Sequence, residues 1–258
     1  MNIIINADDF GIDLETSKCI IDFIQQGICD TTSVMTNMAG FEETADLASK
    51  KGILDRVGLH INLTEGVPIT DRIKDCDAFC MMGKFGVYKN SILSRVYLSK
   101  IELLAVREEI CAQIERYRSA GYSGLFFDSH QGIHMDPSLE KVMINTCEQK
   151  GFIRCRNSPN MVNKNSIKEV LRKKFDHHLK NSGLMTTDYF GNLREFVEWY
   201  ENENENAAVF GRSIEIMTHP KIKESMKYID ASSNLLLEEY ETLIRKIRKL
   251  RIERRNII

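Results

Sequence analysis

Proline, tryptophan and long apolar runs are scarce in this 258-residue chain, and neither sign of charge is in excess. It has four prolines, one tryptophan, and 35 Lys and Arg against 37 Asp and Glu. No stretch approaches the roughly 20 apolar residues that a membrane-spanning helix needs, so no membrane span is expected. A formal charge of -2 offers no field that would gather nucleic acid or anionic lipid, so neither is expected as a partner. With 28% charged residues and a mean hydropathy of -0.28, the composition also excludes wholesale disorder and collagen-like structure. The length fits one α/β domain spanning residues 1–258, able to bury about three quarters of its unfolded surface.

The seven cysteines (Cys19, Cys29, Cys76, Cys80, Cys111, Cys147, Cys155) are odd in number and scattered. Such usage suits reduced thiols rather than a disulfide framework. Only Cys76 and Cys80 are close, and no second pair follows at zinc-finger spacing, so they read as free loop thiols. Met1 to Ile5 has no basic region before it and no long apolar core after it, so no secretory signal is expected. Together these point to a reducing, cytoplasmic setting.

Short β-rich runs alternate with segments of helical period, the pattern of a parallel sheet with crossover helices. Strands are expected at Asn2–Asn6, Thr32–Thr36, Val57–Leu63, Gly124–Asp128, Phe152–Arg156, Leu184–Asp188 and Ser213–Thr218. Helices are expected at Leu14–Gln26, Phe41–Lys50, Ile101–Ala120, Pro137–Lys150, Ile167–Lys180, Leu193–Tyr200 and Ser233–Leu250. Asp13 suits an N-cap and Gly27 a left-handed stop. Six or seven βα units predict an irregular (β/α) barrel of about seven parallel strands, with a doubly wound open sheet as the competitor. Residues 64–100 break the alternation. Gly66, Pro68, Gly83 and Gly86 are interspersed there with apolar residues, which predicts an ordered flap over a site. The polar run Glu201–Asn206 reads as a loop. The basic stretch from Arg245 to Arg255 carries Leu243, Ile247 and Leu250 on one stripe and reads as a packed helix with a solvated cationic face.

The informative feature is where polar residues fall. Asp8 and Asp9 follow the first strand, His60 lies near the end of the third, and Asp128 and His130 end the fourth. Arg154 or Arg156 closes the fifth, and His219 follows the seventh. In a parallel barrel these points share the carboxyl-end face, where active sites are assembled. Taken singly, an Asp pair suits a turn, and a strand-end His is often a hydrogen-bonded core residue. His130 and His134 have metal-like spacing on a glycine-interrupted segment, and His177 and His178 read as solvated. As a set, the strand ends offer one carboxylate and two imidazoles for a divalent metal, with a carboxylate and a histidine to spare. That inventory suits metal-assisted hydrolysis.

Four blocks carry a resemblance: Asn6 to Gly11 (NADDFG), Gly58 to Gly66 (GLHINLTEG), Asp128 to His130 (DSH), and Met217 to Pro220 (MTHP). In this order they resemble the YdjC-like carbohydrate deacetylases, which include the chitooligosaccharide deacetylases. The resemblance implies an irregular (β/α) barrel that removes the N-acetyl group from an acetylated amino sugar or short oligosaccharide, using one divalent metal ion. It implies Asp9, His60 and His130 as metal ligands, Asp8 as general base, His219 as general acid, and a homodimer. Asp128 would orient a ligand or the acid, and an arginine of the fifth strand, Arg156 rather than Arg154, would fix Asp8 in place. The metal is Mg2+ or Zn2+: two imidazoles and a carboxylate suit zinc, and the family points to magnesium at least as often. Gly132 stands where family members commonly carry the middle histidine of the third block. Two other readings remain at this stage. One is a sugar-binding or regulatory barrel without turnover, which would need neither base nor acid. The other is a metal-dependent phosphoesterase, for which no second metal cluster or phosphate clamp is seen in the sequence.

Overall fold

A computed structural model describes residues 2–88, 97–161, 166–203, 212–222 and 228–231, with Thr242 and Arg245. The chain folds as an irregular α/β barrel built on one seven-stranded parallel sheet. Its strands are β1 (Asn2–Phe10), β2 (Thr31–Val34), β3 (Val57–Ile61), β6 (Phe126–Ser129), β7 (Arg154–Cys155), β8 (Tyr189–Asn192) and β9 (Ser213–Thr218), in the spatial order β7-β6-β3-β2-β1-β9-β8. Two hairpins stand apart from it: β4 (Cys80–Met81) with β5 (Lys84–Phe85), and β10 (Pro220–Ile222) with β11 (Tyr228–Asp230). The helices are α1 (Leu14–Gln25), α2 (Phe41–Lys50), α3 (Asp71–Lys74), α4 (Lys100–Ser119), α5 (Glu140–Gln149), α6 (Ser166–Asn181) and α7 (Leu193–Glu203). No helix among the described residues is long and apolar enough to cross a membrane.

Local chemistry explains the helix ends. The Asp13 side chain accepts from Thr16 N at 2.7 Å, and α1 stops before Gly27 at φ 70°. Ser99 and Glu102 form a reciprocal capping box that starts α4. Packing does the rest. Ile20, Phe23 and Ile24 of α1, Ile110 and Ile114 of α4, and Met143 and Ile144 of α5 are buried against the apolar residues of β1, β3 and β9. Tyr117 ties a helix to the sheet, its hydroxyl reaching Val57 O at 2.6 Å and Gly124 O at 2.7 Å. Tyr117→Phe is therefore expected to cost about 1–3 kcal/mol, read as a lower urea midpoint at unchanged m-value.

The sheet is curled, and one segment touches both its edges. Met185 bridges Arg154 of β7, and a few residues later β8 pairs with β9. This corrects the sixth strand expected at Leu184–Asp188. That stretch makes a single bridge to β7 and crosses between the edges, and pairing with β9 begins only past Asp188, whose carboxylate accepts from Ser213 N and Oγ, both at 2.8 Å. β1 runs to Phe10, so Asp8 and Asp9 lie within it rather than after it. β7 is only two residues long, and Arg156 follows it. Helix α7 covers residues 201–203 of the polar run expected to be a loop. The connection 64–100 is more than a flap. It forms α3 and a hairpin, and its Ile73, Phe79, Tyr88 and Leu98 join the core. The expected helix Ser233–Leu250 and the basic stretch lie, apart from Thr242 and Arg245, outside the described residues. All seven cysteines are free thiols.

Candidate metal and acid–base centre

A bulge in β1 builds the site. The register against β2 slips between Ala7 and Phe10, and Asp9 sits at φ 68°. In a regular strand Asp8 and Asp9 would face opposite sides of the sheet. A left-handed residue inside a bulge breaks that alternation, and both carboxylates enter one cluster.

Asp8 meets Arg156 in a two-pronged pair, with Nη1 to Oδ2 at 2.6 Å and Nη2 to Oδ1 at 2.7 Å. The same guanidinium reaches Asp128 Oδ2 through Nη2 at 2.7 Å and Glu215 Oε1 through Nε at 2.7 Å. All four groups are buried. Burial works against a charged Arg156, but Asp128, Asp8 and Glu215 outweigh it and hold the guanidinium protonated. Asn6 Nδ2 donates to Asp8 Oδ1 at 2.8 Å.

The imidazoles stand on the other side. His60 and Asp128 are register partners on neighbouring strands, and His60 Nδ1 lies 2.6 Å from Asp128 Oδ1. Ser33 Oγ donates to Asp128 Oδ2 at 2.9 Å. This leaves His60 Nε2 facing Asp9 Oδ1 at 3.4 Å, and His130 Nδ1 approaches the same oxygen to 2.8 Å. Burial opposes charge on His60, but Asp128, followed by Asp9 and Asp8, lifts its pKa to about 10. Burial would likewise raise the Asp9 carboxyl, yet hydrogen bonds from His130 and His60 hold it well below the ordinary carboxylate range. Asp128 is also held low, because the charges of Arg156 and His60 outweigh its burial. His219 Nε2 lies 4.0 Å from Asp8 Oδ2 and 4.0 Å from Asp9 Oδ2. Its backbone N–H donates to Asp230 Oδ1 at 2.6 Å, and Thr218 Oγ1 donates to the same atom at 2.9 Å.

The donor set suits a cation. Three buried carboxylates (Asp8, Asp128, Glu215) share one guanidinium, and a fourth, Asp9, has only imidazoles beside it. Two triads bring their ligand atoms within 4.8 Å of one another, Asp9–His60–His130 and Asp8–His60–Asp128. The second is the poorer host, since both its carboxylates already bind Arg156 and a metal there would sit against a like charge. In the first, two ring nitrogens converge on a carboxylate oxygen, and Asp128 supplies the carboxylate behind a ligand imidazole that metal centres commonly have.

The structure thus gathers Asp8, Asp9, His60, Asp128, His130, Arg156 and His219 around one point. Arg154 lies elsewhere, stacked 4.5 Å over the Phe126 ring. Gly58 makes room for that ring, which a Cβ there would meet at 2.3 Å. His134 stays outside the cluster. It is bonded to Ser129 Oγ at 2.6 Å and burial pushes its pKa down to about 3, so it is neutral. His177 is exposed and His178 half-buried. The strand-end reading missed Glu215, Ser33 and Glu65. Glu215 had a signal, a lone charge between Ile214 and Ile216 in an otherwise uncharged strand.

Comparison with known proteins gives the family. A profile of the YdjC-like protein family matches residues 2–250. A carbohydrate deacetylase of Xenopus laevis is 31% identical over 156 residues, covering 58% of this chain and 48% of that protein. A carbohydrate deacetylase of Brevibacillus brevis is 28% identical over 149 residues, covering 58% and 56%. The match thus spans about half the length of these two relatives. It is longer with a chitooligosaccharide deacetylase of Yersinia pestis, 26% identical over 227 residues, 84% of this chain and 81% of that one. In fold, the chain is similar to the crystal structure of a candidate cellobiose-phosphate cleavage protein of Enterococcus faecalis V583. The TM-score is 0.72 at 22% identity, covering 98% of this chain and 94% of that one. With the family profile running through all four strand-end blocks and nearly the whole chain, this protein belongs to the YdjC-like family.

Proposed function

We propose that this chain is a divalent-metal-dependent hydrolase that removes the acetyl group from N-acetylated amino sugars or short oligosaccharides such as chitooligosaccharides. The observation that carries the proposal is the placement of Asp8 and His219, 4.0 Å apart, directly beside the Asp9–His60–His130 triad. A binding protein would need the triad at most. The pair adds a proton acceptor and a proton donor. All these groups project from one sheet, so we assign the activity to one domain spanning the chain, with residues 64–100 as its insertion.

Asp9, His60 and His130 would hold the ion. Bound there, Mg2+ or Zn2+ would supply Lewis-acid polarisation of an acetamide oxygen and make water more acidic. The protein's own part is positioning and proton transfer. Arg156 fixes the plane of the Asp8 carboxylate through two parallel bonds, which leaves Oδ2 turned toward His219. With a lone pair still open, that oxygen takes the proton of an attacking water, a role that typically contributes about 10²–10⁴-fold. His219 Nε2 gives a proton to the departing amine, because an unprotonated amide nitrogen is a poor leaving group. Asp128 holds His60 Nδ1–H and so keeps Nε2 available on the side of Asp9.

The test is acetate release from a panel of N-acetylated mono- and disaccharides with Mg2+ or Zn2+ added, compared with phosphate release from a generic ester. Acetate without phosphate is expected, and the activity should disappear on chelation. Phosphate release alone would favour the phosphoesterase, and sugar binding with no release would favour the inactive barrel. The ligand assignment has its own check. His60→Ala and His130→Ala should each purify without bound metal, and full occupancy of both by elemental analysis would show that other residues hold it.

A further inference from the structure

The barrel does not close on itself, and a cavity lies where it fails to close. β7 and β8 are the two edges of the sheet, and residues 184–188 run between them. Backbone pairing with β7 covers only Met185, whose N–H donates to Ile153 O at 2.8 Å and whose carbonyl accepts from Cys155 N at 3.0 Å. Beyond that point side-chain amides take over. Asn157 Nδ2 donates to Thr187 O at 2.9 Å and Asn160 Nδ2 to Asp188 O at 2.8 Å, while Asn160 Oδ1 accepts from Phe190 N at 2.9 Å. These bonds serve backbone groups along the seam. Two side-chain hydroxyls are left out.

Between the seam and helix α6 lies a cavity of about 280 Å³, lined by both asparagines and by Arg172, Asp176, Thr186 and Thr187, among others. Thr186 Oγ1 and Thr187 Oγ1 are shut off from solvent, and neither has a hydrogen-bond partner among the described residues. Thr187 as a whole is 4% exposed. A buried hydroxyl is costly to leave unpaired, so two of them in one cavity call for a polar occupant. The α6 side of the lining is already organised. The Asp176 carboxylate accepts from Ser158 Oγ and from Arg172 Nη1, both at 2.9 Å, which fixes the acid and occupies one N–H of the guanidinium. Leu179, buried on the same helix, adds an apolar patch. None of these lining residues belongs to the metal and acid–base centre.

We propose that the seam cavity is a second, non-catalytic binding site, and that it takes a neutral polyol of monosaccharide size. Size sets the first limit. The cavity is many times a water's share of the liquid, about 30 Å³, and falls just short of the roughly 300–1,000 Å³ usual for drug-sized ligands. Chemistry sets the second. The lining mixes amide and guanidinium donors, a carboxylate acceptor and two threonine hydroxyls that can do either, and a polyol's hydroxyls both donate and accept. Charge sets the third. Arg172 is paired with Asp176 at 2.9 Å and Asp188 with Arg212 at 3.0 Å, which leaves exposed Lys180 as the one cation of the lining without an ion pair among the described residues. A phosphate group is better met by unpaired guanidinium forks, and this lining has none. The site does not depend on the deacetylase reading.

NMR of the full chain, labelled with carbon-13 at its threonine methyls, reads the cavity directly. Thr186→Val and Thr187→Val assign the two signals. Each swaps a hydroxyl for a methyl of similar shape, and the Thr187 carbonyl can still accept from Asn157, so both variants should fold. D-glucose is the probe, because it has the size and the hydroxyls and carries no acetyl group for the metal centre to act on. It should shift the methyls of Thr186 and Thr187 in a saturable way. In Thr187→Val, read from the Thr186 methyl, its affinity should fall about fivefold or more. Inorganic phosphate should move neither methyl. No saturable shift with glucose overturns the site and leaves the cavity to water. An unchanged affinity in Thr187→Val overturns it as well, and if that variant does not fold, Thr186→Val read from the Thr187 methyl decides in the same way. Saturation by phosphate would make the cavity an anion site around Arg172 and Lys180, which also overturns the proposal.

Discussion

Asp8→Asn is expected to cut turnover at least a hundredfold while the protein still binds its divalent ion. The substitution preserves shape and replaces the proton-accepting oxygen with a carboxamide that cannot serve as a base. Asp8 is outside the Asp9–His60–His130 triad, the better host for an ion, so the ion should stay. The effect should fall on kcat more than on KM, because Asp8 Oδ2 faces His219 inside the cluster rather than the entrance. The new amide also turns a donor toward Arg156, so some loss of stability should accompany the loss of rate. Acetate release and elemental analysis on the same sample decide the matter. Full activity with full metal would remove Asp8 from the mechanism.

Arg156→Met should produce the largest effect on folding. One guanidinium holds together Asp8, Asp128 and Glu215, all buried, and without it three carboxylates face each other with no cation between them. Breaking a buried ion pair by removing one partner typically costs about 3–5 kcal/mol. For a chain of this size that corresponds to a melting temperature lower by roughly 6–20 °C. Arg156→Lys keeps the charge but loses the fork, and should recover part of the stability while failing to orient Asp8. Thermal melts of the two variants separate the roles of charge and geometry. A methionine variant that melts within a degree of wild type would show that the cluster does not depend on this residue.

Much of the fold is legible in the sequence. The alternation of β-rich and helical runs marked a parallel α/β barrel of about seven strands, and the family profile and the similar crystal structure agree with it. Asp13 as a cap and Gly27 as a stop were visible because both act within a few residues of themselves. The exceptions were places where a distant partner decides. Residues 184–188 have the composition of a strand but cross between the sheet edges, with one bridge to β7 at Met185 and pairing to β9 only past Asp188. The core residues of the 64–100 connection looked like a lid because nothing local says what Phe79 and Tyr88 pack against.

The candidate site divides along the same line. Sequence alone determined that carboxylates, imidazoles and an arginine fall at the carboxyl ends of several parallel strands, because strand period and order can be read along a chain. Which of them touch was settled only in three dimensions. The left-handed bulge at Asp9 turns two successive carboxylates into one cluster, register sets His60 against Asp128, and Arg156 finds Glu215, 59 residues away along the chain. Glu65 reaches the neighbourhood of His130 through the same kind of long-range placement. Bulges, register and ion pairs of this kind are fixed by contacts between residues far apart in the chain, and a one-dimensional pattern carries no record of those distances.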